Sequence, residues 1–353
     1  MTDILELDTP AVLIDLDRVE ANLQRVQAYA DSHGLKLRPH IKTHKLPRFA
    51  KRAMELGAVG ITVQKLGEAE VFADAGISEI FLPYNIIGPA KLARLKALHG
   101  RVHITVTADS AETVEGLSRS FAGSATPLSV LVECDTGMGR CGVQTPAAAL
   151  ALAEKIANSP GLAFGGLMTY PAAGQVEANA AWLAAARLLL DGAGLSPAVV
   201  SNGGTPDIWR AHEVTAATEH RPGTYIYMDR FQVAKGVGTF DDCALTVLAT
   251  VVSRPTEDRA IIDAGSKALT SDLLGLTGHG YIEAYPEAVI VGLSEEHGTI
   301  DLSACSEKPA IGDKIRIIPN HACVVSNLFD RVTLISGDTV VETVPVDARG
   351  RVD

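Results

Sequence analysis

The stretch LRPHIKTHK, residues 37–45, places basic side chains at every second position. Together with the residue before this stretch, five basic side chains occupy consecutive even-numbered positions: Lys36, Arg38, His40, Lys42 and His44. Successive side chains of a strand point to opposite faces, so a strand over 36–42 would direct this series to one face. A face this basic is costly to bury without partners, so it indicates either a solvated edge strand or a site that uses the charge.

The first two thirds of the chain alternate short apolar runs with amphipathic stretches. Eight runs are strand candidates: KLRPHIK (36–42), AVGITV (58–63), EIFLPY (79–84), VHITVT (102–107), LSVLVECD (128–135), AFGGLMTY (163–170), PAVVSN (197–202) and TAATEH (215–220). Helical patterns lie between them at 66–76, 147–158 and 177–194, and Gly76 and Gly194 stand where helix C-caps belong. Eight strands that alternate with helices predict a (β/α)8 TIM barrel, with a doubly wound sheet as the competing interpretation.

The pattern changes after about residue 240. Runs such as CALTVLATVVSR, EAVIVGL and KIRIIP are β-rich and are separated by Gly, Pro and Asp, with no long helix. This predicts a C-terminal all-β domain, to which we also assign the early run AVLIDLD (11–17). The expected division is a barrel over 18–240 and a β-rich domain over 1–17 and 241–353.

Composition excludes several classes of protein. The 353 residues carry a formal net charge of −11, which argues against a nucleic-acid partner. No run of about 18 apolar residues predicts a membrane span, and MTDILELDTPAV lacks the features of a secretory signal. Five scattered cysteines without a CxxC pair favour a reducing, cytoplasmic setting.

Lys42 ends the basic run and is the first candidate for chemistry. Alternate strand residues face the interior of such a barrel, and its catalytic groups gather at the C-terminal ends of the strands. The Lys42 amine would therefore lie at the barrel mouth. Crowding by Arg38, His40 and His44 disfavours another positive charge there and favours a neutral, nucleophilic amine.

Three further segments follow predicted barrel strands. The turn in VVSNGGTPD (199–207) could offer N–H and hydroxyl donors to a phosphate through Ser201, Asn202, Gly203, Gly204 and Thr205. In VECDTGMGRCGV (132–143), Arg140 leaves a glycine-flanked loop and could bond a phenolate or carboxylate bidentately. Tyr170 ends LMTY, where its ring could flank a flat cofactor. A plain turn, a surface arginine and a core tyrosine are the alternatives.

In the β-rich part, IPNHACVVSNLFD (318–330) follows a strand. His321 and Cys323 are two residues apart, so both side chains can reach one cation. Two ligands do not close a metal site, and a buried histidine beside an inert cysteine is the alternative.

Together these motifs resemble the fold-type III pyridoxal-phosphate enzymes, in the branch of D-serine dehydratase and D-threonine aldolase. The similarity runs from TPAVLIDLDRVEANL at residue 9 through RPHIKTHK, DTGMGRCGV, SNGGTP, RPGTYIYMD and DAGSKALTSD to PNHAC. It implies an alanine racemase-like barrel with a C-terminal β domain, a homodimer, and pyridoxal 5'-phosphate at the barrel mouth.

The resemblance also implies roles for single residues. Lys42 becomes the lysine that forms the Schiff base. His40 and His44, the histidines of the same basic series, are further catalytic candidates because a histidine there could take a substrate proton. Arg140 is expected near the cofactor's 3-oxygen, residues 201–205 around its phosphate, and Tyr170 and Tyr225 near the cofactor. His321 and Cys323 become ligands of a divalent metal, with zinc expected and manganese or magnesium as alternatives.

The expected activity is that of a lyase acting on small D-β-hydroxy amino acids. The His-x-Cys pair and LSEEHG (293–298) resemble the dehydratases, which would give a 2-oxo acid and ammonia. SNLFD resembles the aldolase ending, so cleavage to glycine and an aldehyde is the alternative. Racemisation gives the metal pair no role, and a non-catalytic pyridoxal-phosphate-binding protein is the alternative of another class.

Overall fold

Two structural units divide the described chain, residues 2–353 of a computed structural model. The barrel unit comprises Val26–Lys42, Leu46–Gly223 and Arg351–Asp353. The β unit comprises the residues as far as Arg25, the short insertion Thr43–Lys45, and Thr224–Gly350. The domain limits expected from the sequence, with the barrel over 18–240, stay a prediction.

The chain begins with a 3-10 helix at Ile4–Glu6, strand β1 (Ala11–Asp15) and helix α1 (Leu16–Ser32). Asp15 starts this helix, because its Oδ1 accepts the backbone N–H groups of Asp17 at 3.0 Å and Arg18 at 3.1 Å. These are donors that a helix N-terminus leaves without intrahelical partners.

The barrel unit alternates strands with helices. Its strands are β2 (Lys36–Leu37), β3 (Ile61–Thr62), β4 (Glu79–Leu82), β5 (His103–Ala108), β6 (Leu128–Cys134), β7 (Leu162–Thr169), β8 (Val199–Asn202) and β9 (Glu219–His220). Its helices are α2 (Pro47–Leu56), α3 (Leu66–Asp74), α4 (Pro89–His99), α5 (Ala111–Phe121), α6 (Pro146–Ala157) and α7 (Val176–Gly192), with a 3-10 helix at Ile208–Glu213.

The eight strands are parallel, in the order β2-β9-β8-β7-β6-β5-β4-β3. A parallel bridge between His40 and Thr62 joins the two ends of this order. The Thr62 N–H donates to Pro39 O at 2.7 Å, and the Val59 N–H donates to Leu37 O at 2.9 Å. The sheet therefore closes into a barrel, and the predicted TIM-barrel fold is confirmed.

The strand expected over 36–42 is wrong beyond Leu37. Pro39 has no N–H to contribute to a continuous ladder. The chain then turns into a 3-10 helix, Ile41–Thr43, which contains Lys42. Strict two-residue alternation therefore does not extend through the basic series.

The β unit holds the remaining strands: β10 (Leu245–Thr256), β11 (Arg259–Ile262), β12 (Tyr281–Ile282), β13 (Val289–Leu293), β14 (Gly298–Asp301), β15 (Lys314–Ile318), β16 (Arg331–Ser336) and β17 (Thr339–Pro345). Their order is β13-β14-β11-β10-β1-β16-β17, and β15 pairs with β10 and β12. Short helices are α8 (Arg230–Ala234), α9 (Ser266–Leu269) and α10 (Ala322–Leu328), with 3-10 turns at Thr224–Ile226 and Phe240–Asp242. The expected C-terminal domain of mostly strands is confirmed.

Early β1 lies inside this sheet. It runs antiparallel to β10 and parallel to β16, where Leu13 faces Thr333. Leu13 and Ile14 are completely buried.

Within residues 2–353, no helix has both the length and the apolar character needed to cross a membrane.

Gly166 lies at a bulge where β6 meets β7. The pairing passes from Val130 with Phe164 to Leu131 with Gly166, so one residue of β7 is extra. Gly166 has φ +139°, and a Cβ there would lie 1.8 Å from the carbonyl oxygen of Val199. Only glycine fits this position.

We expect Gly166→Ala to lower the free energy of unfolding by about 3 kcal/mol or more, because the new methyl group forces β7 and β8 apart. The measurement is urea unfolding of the purified protein. Gly174→Ala is the matched control: its φ is +78°, but no atom lies within 4 Å of the added Cβ. Equal losses in the two variants would contradict the steric explanation.

Candidate active site

The predicted residues of the barrel unit follow the C-terminal ends of its strands. Lys42 comes after β2, Arg140 after β6 and Tyr170 after β7, while the 201–205 turn starts in the last residues of β8. The C-terminal ends of parallel strands meet at one edge of a barrel. These segments therefore share that edge.

His40 orients the backbone at Lys42. The Lys42 N–H donates to His40 Nδ1 at 3.3 Å, and His40 Nε2 lies 3.1 Å from Gln64 Oε1. A ring nitrogen that accepts an N–H carries no proton, so the proton lies on Nε2 and is donated to Gln64. The Lys42 side chain is half-buried, and His40 is buried.

Arg38 is neutralised inside the barrel by Glu219. Arg38 Nε lies 2.9 Å from Glu219 Oε2, and Ser201 Oγ donates to the other oxygen of this carboxylate. Arg221 donates to Ser201 Oγ at 2.6 Å and to Thr169 O at 2.7 Å. Burial lowers the pKa of Arg221 to about 10, which leaves the guanidinium charged at neutral pH. The Ser201 hydroxyl, expected as a phosphate donor, is thus engaged in this buried network.

The 201–205 turn is held by side chains on both sides. Asn179 Nδ2 donates to Asn202 Oδ1 at 3.1 Å, and the Gly223 N–H donates to Thr205 Oγ1 at 3.1 Å. A Cβ at Gly203 would lie 2.9 Å from Arg221 Cβ, so this close approach requires glycine. Among residues 2–353, no group accepts the backbone N–H of Gly204 or Thr205. These two donors suit an anion.

His220 fastens the same turn from β9. Its Nε2 lies 2.9 Å from the carbonyl oxygen of Gly204, to which it donates. Burial lowers the pKa of His220 to about 4, with a further lowering from Arg221, so the imidazole is neutral near neutral pH.

Arg140 and Tyr170 lie together at the strand ends. Arg140 Cζ is 5.1 Å from the centroid of the Tyr170 ring, a cation–π distance. Asp135 fixes the loop that carries Arg140 by accepting the N–H groups of Gly137 and Gly139, both at 3.0 Å. Arg140 is exposed.

Glu133 is a buried carboxylate near this group, and no role was predicted for it from the sequence. Burial raises the pKa of Glu133 and the charge of Asp109 raises it further, whereas Arg140 and Arg221 oppose the shift. It lies in the mainly apolar β6, within the same quoted stretch, 132–143, that contains Arg140. An acidic residue in an apolar strand was the available signal.

The predicted metal pair lies in the β unit, at the start of α10. His321 precedes the helix, and Cys323 lies in its first turn. His321 Nδ1 lies 2.8 Å from Asp272 Oδ2. Burial lowers the pKa of His321, but a hydrogen bond to Cys323 and its charge, together with Asp272, outweigh burial and raise it to about 9. Nδ1 is thus engaged, and Nε2 is the nitrogen that would bind a metal.

Two threonine hydroxyls flank the Cys323 thiol. Thr43 Oγ1 lies 3.2 Å and Thr224 Oγ1 3.5 Å from Cys323 Sγ. Residues 2–353 contain no cluster of three or more His, Cys, Asp or Glu side chains arranged to hold a metal.

Asp229 links two of the quoted motifs within the β unit. Its Oδ1 accepts the Gln232 N–H at 2.9 Å, and its Oδ2 accepts the Ala322 N–H at 3.0 Å. Burial raises the pKa of Asp229 to about 6. The carboxylate fixes the N-termini of α8 and α10, and so the backbone beside His321. Asp229 ends the motif RPGTYIYMD and Asp272 ends DAGSKALTSD, but no role was predicted for either carboxylate.

The other predicted residues of the β unit are buried. Tyr225 is 2% exposed, and burial raises the pKa of its hydroxyl. His44 packs edge-to-face against Tyr227, with ring centroids 6.4 Å apart.

Two family models match this chain. Alanine racemase, N-terminal domain, matches residues 14–231, and putative serine dehydratase domain matches residues 244–335. D-threonine aldolase of Arthrobacter sp is 36% identical over 98% of this chain and 94% of its own length.

Solved structures are similar over nearly the whole chain. D-threonine aldolase from Filomicrobium marinum has a TM-score of 0.92 and 34% identity, covering 99% of this chain and 97% of its own. D-threo-3-hydroxyaspartate dehydratase from Delftia sp. HT23 has a TM-score of 0.89 and 31% identity, covering 97% and 98%. Two further solved structures are variants of a D-threo-3-hydroxyaspartate dehydratase. One has a histidine replaced by alanine, and the other has a cysteine two positions later replaced by alanine. The cysteine variant is in the metal-free form.

We expect the stability of the protein to fall in mild acid because of His220. Between the unfolded pKa of 6.5 and the folded pKa of about 4, the unfolded chain binds more protons than the folded chain. The free energy of unfolding therefore falls as pH falls, by about 2 kcal/mol from about pH 7 to about pH 5 for this group. Urea unfolding of His220→Gln should show a smaller loss over that range. Exposed His297→Gln is the control and should keep the native slope.

A second expectation concerns Asp272. Its carboxylate fixes the ring and tautomer of His321, so Asp272→Ala should weaken metal binding about 10- to 100-fold. The measurement is competition between the apoprotein and a chelator for zinc and for manganese. Asp241→Ala, at an exposed aspartate of the same unit, is the control. Unchanged metal affinity in Asp272→Ala would show that this carboxylate does not support the site.

Proposed function

The chain belongs to the D-serine dehydratase and D-threonine aldolase family of fold-type III pyridoxal-phosphate enzymes, and we propose that it is a lyase acting on D-β-hydroxy amino acids. The family predicted from the motifs is confirmed. The relatives are named as enzymes, which disfavours the non-catalytic alternative.

The barrel edge has the donors that pyridoxal phosphate needs. The N–H groups of Gly204 and Thr205 would hold its phosphate, with Thr205 fixed by Gly223. Arg140 and Tyr170 would contact its ring and 3-oxygen. When bound, this cofactor supplies an electron sink for charge that develops at the substrate Cα.

Lys42 is the proposed catalytic residue. Its Nζ would hold the cofactor and would take the proton from the substrate Cα. His40 holds the Lys42 backbone through Nδ1. We therefore propose that His40 positions the lysine, and we keep His44 as a candidate catalytic group.

His321 and Cys323 fit a divalent metal. One imidazole nitrogen and one thiolate sulfur are donors that zinc prefers, with manganese or magnesium as alternatives. The Asp272 carboxylate holds the His321 ring for binding through Nε2. A metal held there would supply Lewis-acid polarisation of the substrate β-hydroxyl.

The His321–Cys323 pair is the observation that favours dehydration to a 2-oxo acid and ammonia. Its His-x-Cys spacing equals that of the two positions altered in the solved dehydratase variants, of which the cysteine variant is metal-free. The His-x-Cys pair is also the feature of the sequence that resembles the dehydratases, and its soft thiolate suits zinc.

Retro-aldol cleavage to glycine and an aldehyde is the second candidate. The observation in its favour is the 36% identity to a D-threonine aldolase, above the 32% identity to the hydroxyaspartate dehydratase. Lys42, His321 and Cys323 would serve this reaction too, and a metal on the last two residues would polarise the substrate β-oxygen.

We further propose a homodimer in a reducing, cytoplasmic setting. The absence of CxxC pairs from the sequence supports the compartment, and family resemblance supports the dimer.

The test is product analysis with D-serine, D-threonine and D-threo-3-hydroxyaspartate, each with pyridoxal phosphate and zinc or manganese. We expect ammonia with 2-oxo acid, and complete loss of activity in Lys42→Ala because no other amine replaces it. Cys323→Ala should retain cofactor absorbance but lose metal and most turnover.

Glycine with aldehyde would establish the aldolase reaction instead. Turnover retained by Lys42→Ala, or no product from any substrate, would refute the proposal.

A further inference from the structure

A turn at residues 346–350 of the β unit contacts the segment that follows Lys42. The Ala348 N–H donates to Lys45 O at 3.1 Å, and Lys45 Nζ donates to Ala348 O at 3.3 Å. Lys45 is 5% exposed, and Ala348 is completely buried. Two hydrogen bonds in opposite directions therefore join these residues in the interior.

Lys45 has an unfavourable backbone conformation. Its φ of +55° lies in the left-handed region, which costs free energy for any residue with a Cβ. Such conformations persist where the surroundings impose them. Ala348 bonds both the carbonyl and the ammonium of Lys45. Loss of this pair would let residue 45 relax and displace the chain before it.

Helix α10 anchors the same turn. Val346 N–H donates to Asp330 O at 2.9 Å, and Gly350 N–H donates to Asn327 Oδ1 at 3.0 Å. Arg349 pairs with the Asp330 carboxylate at 2.8 Å. Asn327 belongs to the last turn of α10, and Asp330 follows the helix closely.

The N-terminal end of α10 contacts Thr43, the first residue of the 43–45 segment. Cys323, in its first turn, lies 3.2 Å through Sγ from Thr43 Oγ1. Thr43 is completely buried. One short helix thus fixes residues 43–45 twice, at Thr43 through Cys323 and at Lys45 through the 346–350 turn.

We propose that the 346–350 turn is a positioning element for the Lys42 amine, with Lys45 and Ala348 as positioning residues. Because a peptide bond joins Lys42 to Thr43, a segment locked at 43–45 fixes the backbone from which the Lys42 side chain projects. The Lys45 ammonium is engaged with a backbone carbonyl, so it serves structure and not nucleophilic attack. This inference rests on the proposed role of Lys42.

Lys45→Met tests it, since methionine keeps an apolar stem and removes the ammonium. We expect kcat to fall about 10- to 100-fold with KM nearly unchanged, because small misplacements of a reacting group have effects of this size. Covalent attachment of pyridoxal phosphate at Lys42, measured by mass spectrometry after borohydride reduction, should slow in parallel. Lys45→Arg should restore most of both. Lys51→Met, at an exposed lysine of α2, is the matched control.

Arg349→Ala is the second variant, because it loosens the turn from an exposed position and leaves the buried residues intact. It should lower kcat several-fold and speed hydrogen exchange of a peptide spanning 40–46.

The outcomes separate the two proposals. If Lys45→Met labels Lys42 and turns over like the native protein, the positioning role is overturned and the lyase function stands. An equal fall in Lys51→Met would also overturn it. If the native protein neither labels at Lys42 nor forms product, the proposed function fails and the inference fails with it.

Discussion

The buried carboxylate of Glu219 is the group on which the barrel interior depends. It pairs with Arg38 at 2.9 Å and accepts from Ser201, which in turn accepts from Arg221. An isolated buried guanidinium is costly, and breaking a buried ion pair by removing one partner costs about 3–5 kcal/mol. Because Arg221 also packs against Gly203, the shape of the proposed phosphate turn follows from electrostatics deeper in the barrel.

The repeating pattern of apolar runs and amphipathic stretches predicted a parallel sheet buried on both faces, which favoured the barrel and left a doubly wound sheet as the alternative. The basic series was harder to interpret. Because its side chains occupy every second position, they were expected on one face of a strand. In the structure Lys36 is exposed, Arg38 is paired inside the barrel, and Lys42 lies in a 3-10 helix. The partner of Arg38 lies 181 residues away, and local periodicity contains no information about such a contact.

The candidate site shows the same limit. His321 and Cys323 are only two residues apart, so their spacing in the sequence was enough to suggest them as a pair. Asp272 and Asp229, which hold the histidine ring and the helix start, lie 49 and 93 residues from their partners. Glu133 lies seven residues before Arg140 in a mainly apolar strand; that position indicated a buried acid, but the groups that shift its pKa include Asp109 and Arg221, which are distant in sequence. Supporting groups of this kind are recognised by distance in space.

The central place of β1 in the β sheet has a consequence for the order of folding. β1 comprises residues 11–15, yet its neighbours β10 and β16 begin at residues 245 and 331. During synthesis, nearly the whole barrel leaves the ribosome before β1 has a strand to pair with. Contacts of such high sequence separation form slowly. The apolar Val12, Leu13 and Ile14 therefore stay without their final cover until the last strands emerge, and this interval is when the nascent chain is most exposed to aggregation.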